Sequence, residues 1–317
     1  MDNRGVSIQE GIGMEKYRKV KSKADGLDLE ILEVIPEGKV KGIVQIVHGM
    51  QEHKERYLHF MEFLAAHGYV CIAHDHRGHG NSVKDVEDRG YFYDEKGEAI
   101  VEDINDVIED LKKRYPDVPV YMLGHSMGSL VVRKYLKKHD DKISRLIITG
   151  PVWNNPASGP GLALVKILSR LQGGKKVSPF VEKISNGSFD KGIPGTEKNR
   201  WLSANEENVK SFNDDPHSGF PFTLNGYQNL LQLVRDVYDP KGWQMKNPDI
   251  PVYFLGGEQD PVIGSPKEFD NTVQKLKDKG YTNVSKKLYP HMRHEILNET
   301  NRMEVYEDIL KFLEGDH

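Results

Sequence analysis

Residues 118–136 read VPVYMLGHSMGSLVVRKYL. The opening VPVYML is an apolar run of the length of a strand buried on both faces. The closing MGSLVVRKYL repeats its apolar residues at helical spacing. Between them stands GHSMG (124–128), which fits G-x-S-x-G. A serine at the centre of that pattern sits on a tight strand-to-helix turn and projects from the end of the sheet. Gly124 and Gly128 remove side chains that would clash across the turn. The N–H of the next residue, Met127, then points at whatever group the serine reaches. The five-residue pattern alone is weak; its place between a buried strand and a helix gives it weight.

Outward from this unit the same alternation repeats. On the N-terminal side, KGIVQIVHG (41–49) and YVCIAHD (69–75) read as buried strands, separated by the helical spacing of RYLHFMEFLAAHG (56–68). LDLEILEVIPEG (27–38) alternates apolar with acidic residues and reads as an antiparallel edge strand. EAIVEDINDVIEDLKKRYP (98–116) reads as a long helix, acidic early and basic late, as its dipole favours. ISRLIITGP (143–151) is a further strand. The alternation then stops. An amphipathic helix at 161–172, a Gly-, Pro-, Ser- and Asn-rich stretch, and a helix at 223–237 precede its return at IPVYFLGGEQD (250–260), VSKKLYPHMRHE (284–295) and a last helix at about 299–314. The pattern predicts an α/β fold, a mostly parallel sheet with helices on both faces. Its core spans 14–150 and 248–317, with a mainly helical insertion at 151–247. Residues 1–13 read as a mobile extension.

The chain has 317 residues, 37% hydrophobic and 29% charged, with a formal net charge of −4. Nothing in that balance attracts polyanions, so no nucleic-acid partner is expected. The single cysteine, Cys71, rules out internal disulfides and a Cys-rich zinc site, and its apolar surroundings make it strand filler. No apolar run approaches a membrane span and the N-terminus carries no apolar h-region, so a cytoplasmic enzyme is the default expectation. AHDHRGHG (73–80) gathers His74, Asp75, His76 and His79, residue types that bind zinc. Strand alternation splits His74 and His76 from Asp75, and RGHGNS forms a turn, so no three ligands converge. No metal and no organic cofactor is expected.

A serine hydroxyl needs a base, usually a histidine held by a carboxylate. In open α/β sheets such groups lie beyond the carboxyl ends of the strands. GGEQDPV offers Glu258 and Asp260; Asp260 comes later in its loop and precedes Pro261. LYPHMRHEIL offers His291 and His294; His294 stands at the mouth of the last helix. The expected catalytic residues are Ser126, Asp260 and His294. The expected oxyanion donors are the backbone N–H groups of Met127 and of Met50, in the loop after the strand IVQIV.

Together these segments resemble the α/β-hydrolase superfamily, and more closely the monoacylglycerol lipase and lysophospholipase family of serine hydrolases. The resemblance rests on VHGMQEHKERY (47–57), AHDHRGHGNS (73–82), LGHSMGSLVVRKYL (123–136), GGEQDPV (256–262) and LYPHMRHEILNE (288–299). The chain departs at Gln51, where many members carry glycine. The resemblance implies an α/β-hydrolase fold with a cap at 151–247. It also implies hydrolysis of a lipid-like carboxylic ester, a monoacylglycerol or a lysophospholipid, with transient contact to a membrane surface through the cap. Trp153, Leu162, Val165, Phe220 and Phe222 are the expected substrate contacts, with packing onto the core as the plainer reading of the cap's apolar faces. The same machinery would serve a small-ester esterase, a thioesterase or a serine aminopeptidase. A non-enzymatic binding module is the remaining alternative.

Overall fold

The computed structural model describes residues 8–9 and 13–315. A nine-stranded sheet runs through the molecule in the order β1-β2-β3-β5-β4-β6-β7-β8-β9. The strands are β1 Ile8–Gln9, β2 Gly13–Lys21, β3 Asp28–Ile35, β4 Gly42–Val47, β5 Tyr69–His74, β6 Val120–His125, β7 Arg145–Thr149, β8 Val252–Gly257 and β9 Val284–Tyr289. β1, β2 and β3 pair antiparallel, and β3 lies antiparallel to β5; from β5 to β9 every pairing is parallel. Most of the expected extension 1–13 lies outside the described residues. Its Ile8–Gln9 pairs with Gly13–Met14.

Period-two alternation in the central strands builds two cores at once. In β4, Ile43 and Val47 face one side, and Val44 and Ile46 the other; in β8, Val252 and Phe254 oppose Tyr253 and Leu255. On the first face lie helices α2 (Ala99–Arg114), α3 (Met127–His139) and α8 (Pro266–Lys277); on the second lie α1 (Leu58–Ala66) and α9 (Arg302–Glu314). Between β7 and β8 the chain forms α4 (Ser158–Gln172), α5 (Pro179–Asn186), α6 (Glu206–Asp214) and α7 (Leu224–Tyr238). α4 packs on α7, and α7 rests on α3. No helix among the described residues is long and apolar enough to cross a membrane.

β3 is not an edge strand as its alternation predicts: β2 covers it, and its acidic residues are buried. Glu33 takes Arg18 Nε at 2.6 Å and Arg114 Nη1 at 3.1 Å. Glu30 takes Lys54 Nζ at 2.9 Å and Asn81 Nδ2 at 2.6 Å. Paired carboxylates can be buried, and alternation alone cannot separate them from solvated ones.

The AHDHRGHG stretch is fully internal. Arg77, wholly buried, forks onto Asp103 through Nε at 2.7 Å and Nη2 at 3.0 Å, and reaches the Phe92 carbonyl at 3.1 Å and Ser22 Oγ at 3.1 Å. It fastens the β5 exit to α2 and to the turn before β3. Replacing Arg77 with leucine would strand the buried Asp103 carboxylate. We expect a loss of about 3–5 kcal/mol in stability, read by urea unfolding. A loss below about 1 kcal/mol would show that the pair is dispensable.

Candidate active site

β6 ends at His125 and α3 begins at Met127, so Ser126 alone makes the turn, with φ 53° and ψ −118°. A non-glycine residue held there stores roughly 1–3 kcal/mol of backbone strain. The turn is pinned on both sides. Ser126 N–H donates to the Thr149 carbonyl at 3.0 Å, and Ser129 N–H to the Ser126 carbonyl at 2.9 Å. A Cβ on Gly128 would fall 2.0 Å from the Val47 carbonyl oxygen. Only glycine lets α3 start against β4, and this brings its positive N-terminal end to the serine.

The loop leaving β4 lies beside that helix end. A Cβ on Gly49 would come within 3.1 Å of Ser126 Cβ. Gly49 N–H donates to Glu52 Oε1 at 2.5 Å, and Tyr57 Oη donates to the same oxygen at 2.8 Å. His48 Nε2 accepts the His76 N–H at 2.9 Å; its Nδ1 therefore carries the proton and donates to the Gly49 carbonyl at 2.8 Å. His76 Nε2 in turn lies 3.1 Å from the His48 carbonyl. Burial holds both rings well below the ordinary histidine pKa, so they stay neutral. Two histidines of the expected turn thus brace the loop that carries Met50.

Asp260 follows β8 and caps the turn Pro261–Ile263. Its Oδ1 accepts the Val262 N–H at 2.7 Å, which leaves Oδ2 facing His294 Nδ1 at 2.8 Å. Both side chains are buried, whereas Glu258 and His291 are exposed. Burial works against a charged His294, but the Asp260 carboxylate, with Glu295 and Glu52 beyond it, outweighs burial and raises the pKa. The neighbouring His125, 4.6 Å away between ring centroids, is pushed well below the ordinary value by burial and by His294. One of the two rings is therefore tuned to gain a proton and the other to stay neutral.

Ser126, His294, Gly49 and Met50 line one small recess. Ser126, Met50 and Met127 also form the floor of a cavity of about 490 Å³ that extends between α4, α5 and α7. Its walls include Leu164, Val165, Ile184, Leu231 and Val234; no charged side chain lines it. Of the expected substrate contacts, Trp153 and Val165 lie on this cavity. Leu162, Phe220 and Phe222 do not. Phe220 and Phe222 instead flank the His79 ring, with centroids 5.3 Å away, and Phe222 is fully buried. On α4 the cavity takes Gly161, Leu164 and Val165, so Leu162 falls off its lining face.

Sequence reasoning missed the walls supplied by α5 and α7, and the groups behind the recess. Glu295, directly after His294, accepts from Arg56 Nη2 at 2.5 Å and Asn208 Nδ2 at 2.7 Å. Trp201 lies 5.0 Å from His294, ring to ring. Ser178, which caps α5 ahead of Pro179, is the signal that could have found that helix.

The family described as serine aminopeptidase, S33 matches residues 38–301. The chain belongs to this family. Within it, the chain is 26% identical over 292 residues to a monoacylglycerol lipase of Mycolicibacterium smegmatis, covering 88% of this chain and 90% of that one. It is 29% identical over 291 residues to the mouse monoglyceride lipase, covering 88% and 87%. Among solved structures it is similar to a thermostable carboxyl esterase from Bacillus coagulans determined with glycerol, with TM-score 0.87, 29% identity and coverage of 95% and 98%. This member of the serine aminopeptidase S33 family is thus an α/β-hydrolase resembling the monoglyceride lipases.

Proposed function

We propose that this hydrolase cleaves single-chain lipid esters, a monoacylglycerol or a lysophospholipid, through an acyl-enzyme on Ser126. Carboxylic ester hydrolysis itself follows from the lipases and esterases that the chain resembles. Ser126 Oγ attacks the ester carbonyl while His294 Nε2 takes its proton. Asp260 keeps Nδ1–H directed and stabilises the imidazolium. The Met50 and Met127 N–H groups receive the oxyanion, beside the positive end of α3. The alcohol leaves with the proton from His294. Water, deprotonated by the same ring, then releases the fatty acid.

The observation that carries the lipid reading is the uncharged apolar cavity opening on Ser126. An acyl chain gains about 0.8 kcal/mol per buried methylene. Residues 151–247 act as the cap that supplies those walls and keeps water from the acyl-enzyme. Ile167, Leu171, Phe180 and Ile184 stand exposed on α4 and α5, and they suit transient contact with a lipid surface.

The family's description favours a second reading, an aminopeptidase. That reaction needs a carboxylate for the substrate's α-ammonium, and the large cavity has none. Glycerol esters of two to sixteen carbons and aminoacyl anilides, assayed side by side, decide between them. The ester reading expects kcat/KM to rise by up to about fourfold per methylene until the cavity fills, with anilides inert. Faster turnover of aminoacyl anilides, or a preference for acetate esters, would overturn the lipid assignment.

A further inference from the structure

Gln51, directly after the Met50 whose N–H is assigned to the oxyanion, adopts φ 58°, a left-handed conformation that glycine takes freely and glutamine resists. Something must hold it there. Its carbonyl accepts the Gly219 N–H at 2.8 Å, from the loop between α6 and α7. That loop is organised by Asp215, whose Oδ1 accepts the His217 N–H at 2.9 Å and whose Oδ2 accepts Ser218 Oγ at 2.7 Å. Asp215 is in turn tied back to the loop it serves. Its Oδ2 lies 2.5 Å from His53 Nε2, while His53 Nδ1 lies 2.6 Å from Glu55 Oε2. A neutral imidazole has one N–H and could serve only one of these carboxylates. With an acceptor-only group on each nitrogen, the ring is an imidazolium.

We infer that protonated His53 is a positioning residue: clamped between Glu55 and Asp215, it locks the 215–219 loop onto Gln51 and so holds the strained peptide next to the Met50 N–H in its working position. The inference rests on the proposed role of Met50. The groups around the ring agree with a cation. Glu55 and Asp215 face it directly. Lys54 sits on the far oxygen of Glu55 at 2.9 Å, and the Tyr17 ring lies beyond Lys54. His217 stacks edge-on at 5.6 Å, with Arg89 on its Nε2 at 3.2 Å, and is itself held below the ordinary value by burial and Arg89. Burial disfavours the charged His53 ring, but the two carboxylates outweigh it and raise its pKa. A raised pKa means the clamp is intact below that value and is lost as pH rises through it. The wild type should therefore show a decline in kcat on the alkaline side.

The test measures kcat and KM on p-nitrophenyl butyrate from pH 5 to 10 for the wild type, His53→Gln, Gln51→Gly and the double variant. His53→Gln should lower kcat about tenfold at pH 7 with KM within about twofold, and its alkaline decline should vanish. In the Gln51→Gly background the same change should cost less than about twofold, because glycine needs no clamp. Asp215→Asn keeps the turn but removes the charge. It should reproduce the His53→Gln profile and stands in for that variant if His53→Gln fails to fold. An equal cost in both backgrounds, or an alkaline decline that survives in His53→Gln, would overturn the clamp while leaving the proposed function intact. Absence of ester turnover in the wild type would remove the function on which the clamp rests.

Discussion

Ser126→Ala should lower kcat/KM on a medium-chain ester by about 10⁴-fold or more and abolish labelling by a fluorophosphonate. What survives is whatever the oxyanion donors and the cavity give to attack by water, and that is small without an aligned nucleophile. The change also isolates chemistry from folding. Alanine inherits the same φ of 53° and the same backbone bonds to Thr149 and Ser129. Its thermal midpoint should therefore stay near that of the wild type. Ser126→Gly sharpens the comparison: it should be equally inactive but more stable by about 1–3 kcal/mol, because glycine releases the strain of the turn. More than about one per cent of wild-type turnover in either variant would mean that Ser126 is not the nucleophile.

The parallel half of the sheet was legible because its strands, buried on both faces, appear as uninterrupted apolar runs. VPVYML and KGIVQIV could be little else. β2 was not legible. MEKYRKVK shows water its charged residues and covers β3 with little apolar area, so it has no strong period to read. β3 was read as an edge for the related reason that buried Glu30 and Glu33 look solvated until Lys54, Arg18 and Arg114 are in place. α8 was passed over although Ser265-Pro-Lys-Glu268 carries a helix-start signature, and Ser265 Oγ accepts the Glu268 N–H at 3.2 Å.

In the site, the G-x-S-x-G turn and the order Ser, Asp, His could be written down from the chain because each residue follows a readable strand. The cap could not be read to the same depth. Whether an apolar residue on α4 faces a cavity or the core depends on a few tens of degrees of helix rotation, and Leu162 and Leu164 fall on opposite sides of that decision. The histidines of AHDHRGHG were read as turn and packing residues. Their contacts show a further task, since His48 and His76 brace the oxyanion loop through bonds between residues 28 positions apart.

Asp260→Asn should lower kcat/KM by about 10⁴-fold with the fold retained, and should move the acidic limb of its pH profile downward. The neutral His294 ring is the base, so activity falls as pH drops through the pKa of the free enzyme. In the wild type burial alone would depress that pKa, but Asp260 reverses the sign and holds it above the ordinary histidine value of about 6.5. The wild-type limb should therefore lie above pH 6.5. Asparagine removes the charge and leaves the burial, so the variant's limb should lie below it. The rate loss has a separate origin. An amide can donate to Nδ1 as readily as accept from it, which lets the ring place its proton on Nε2, where it must instead take one from Ser126. The two readouts therefore test different parts of the assignment. A limb that moves without a large rate loss would leave Asp260 as a charge partner only, and a limb that stays in place would assign the base to a residue other than His294.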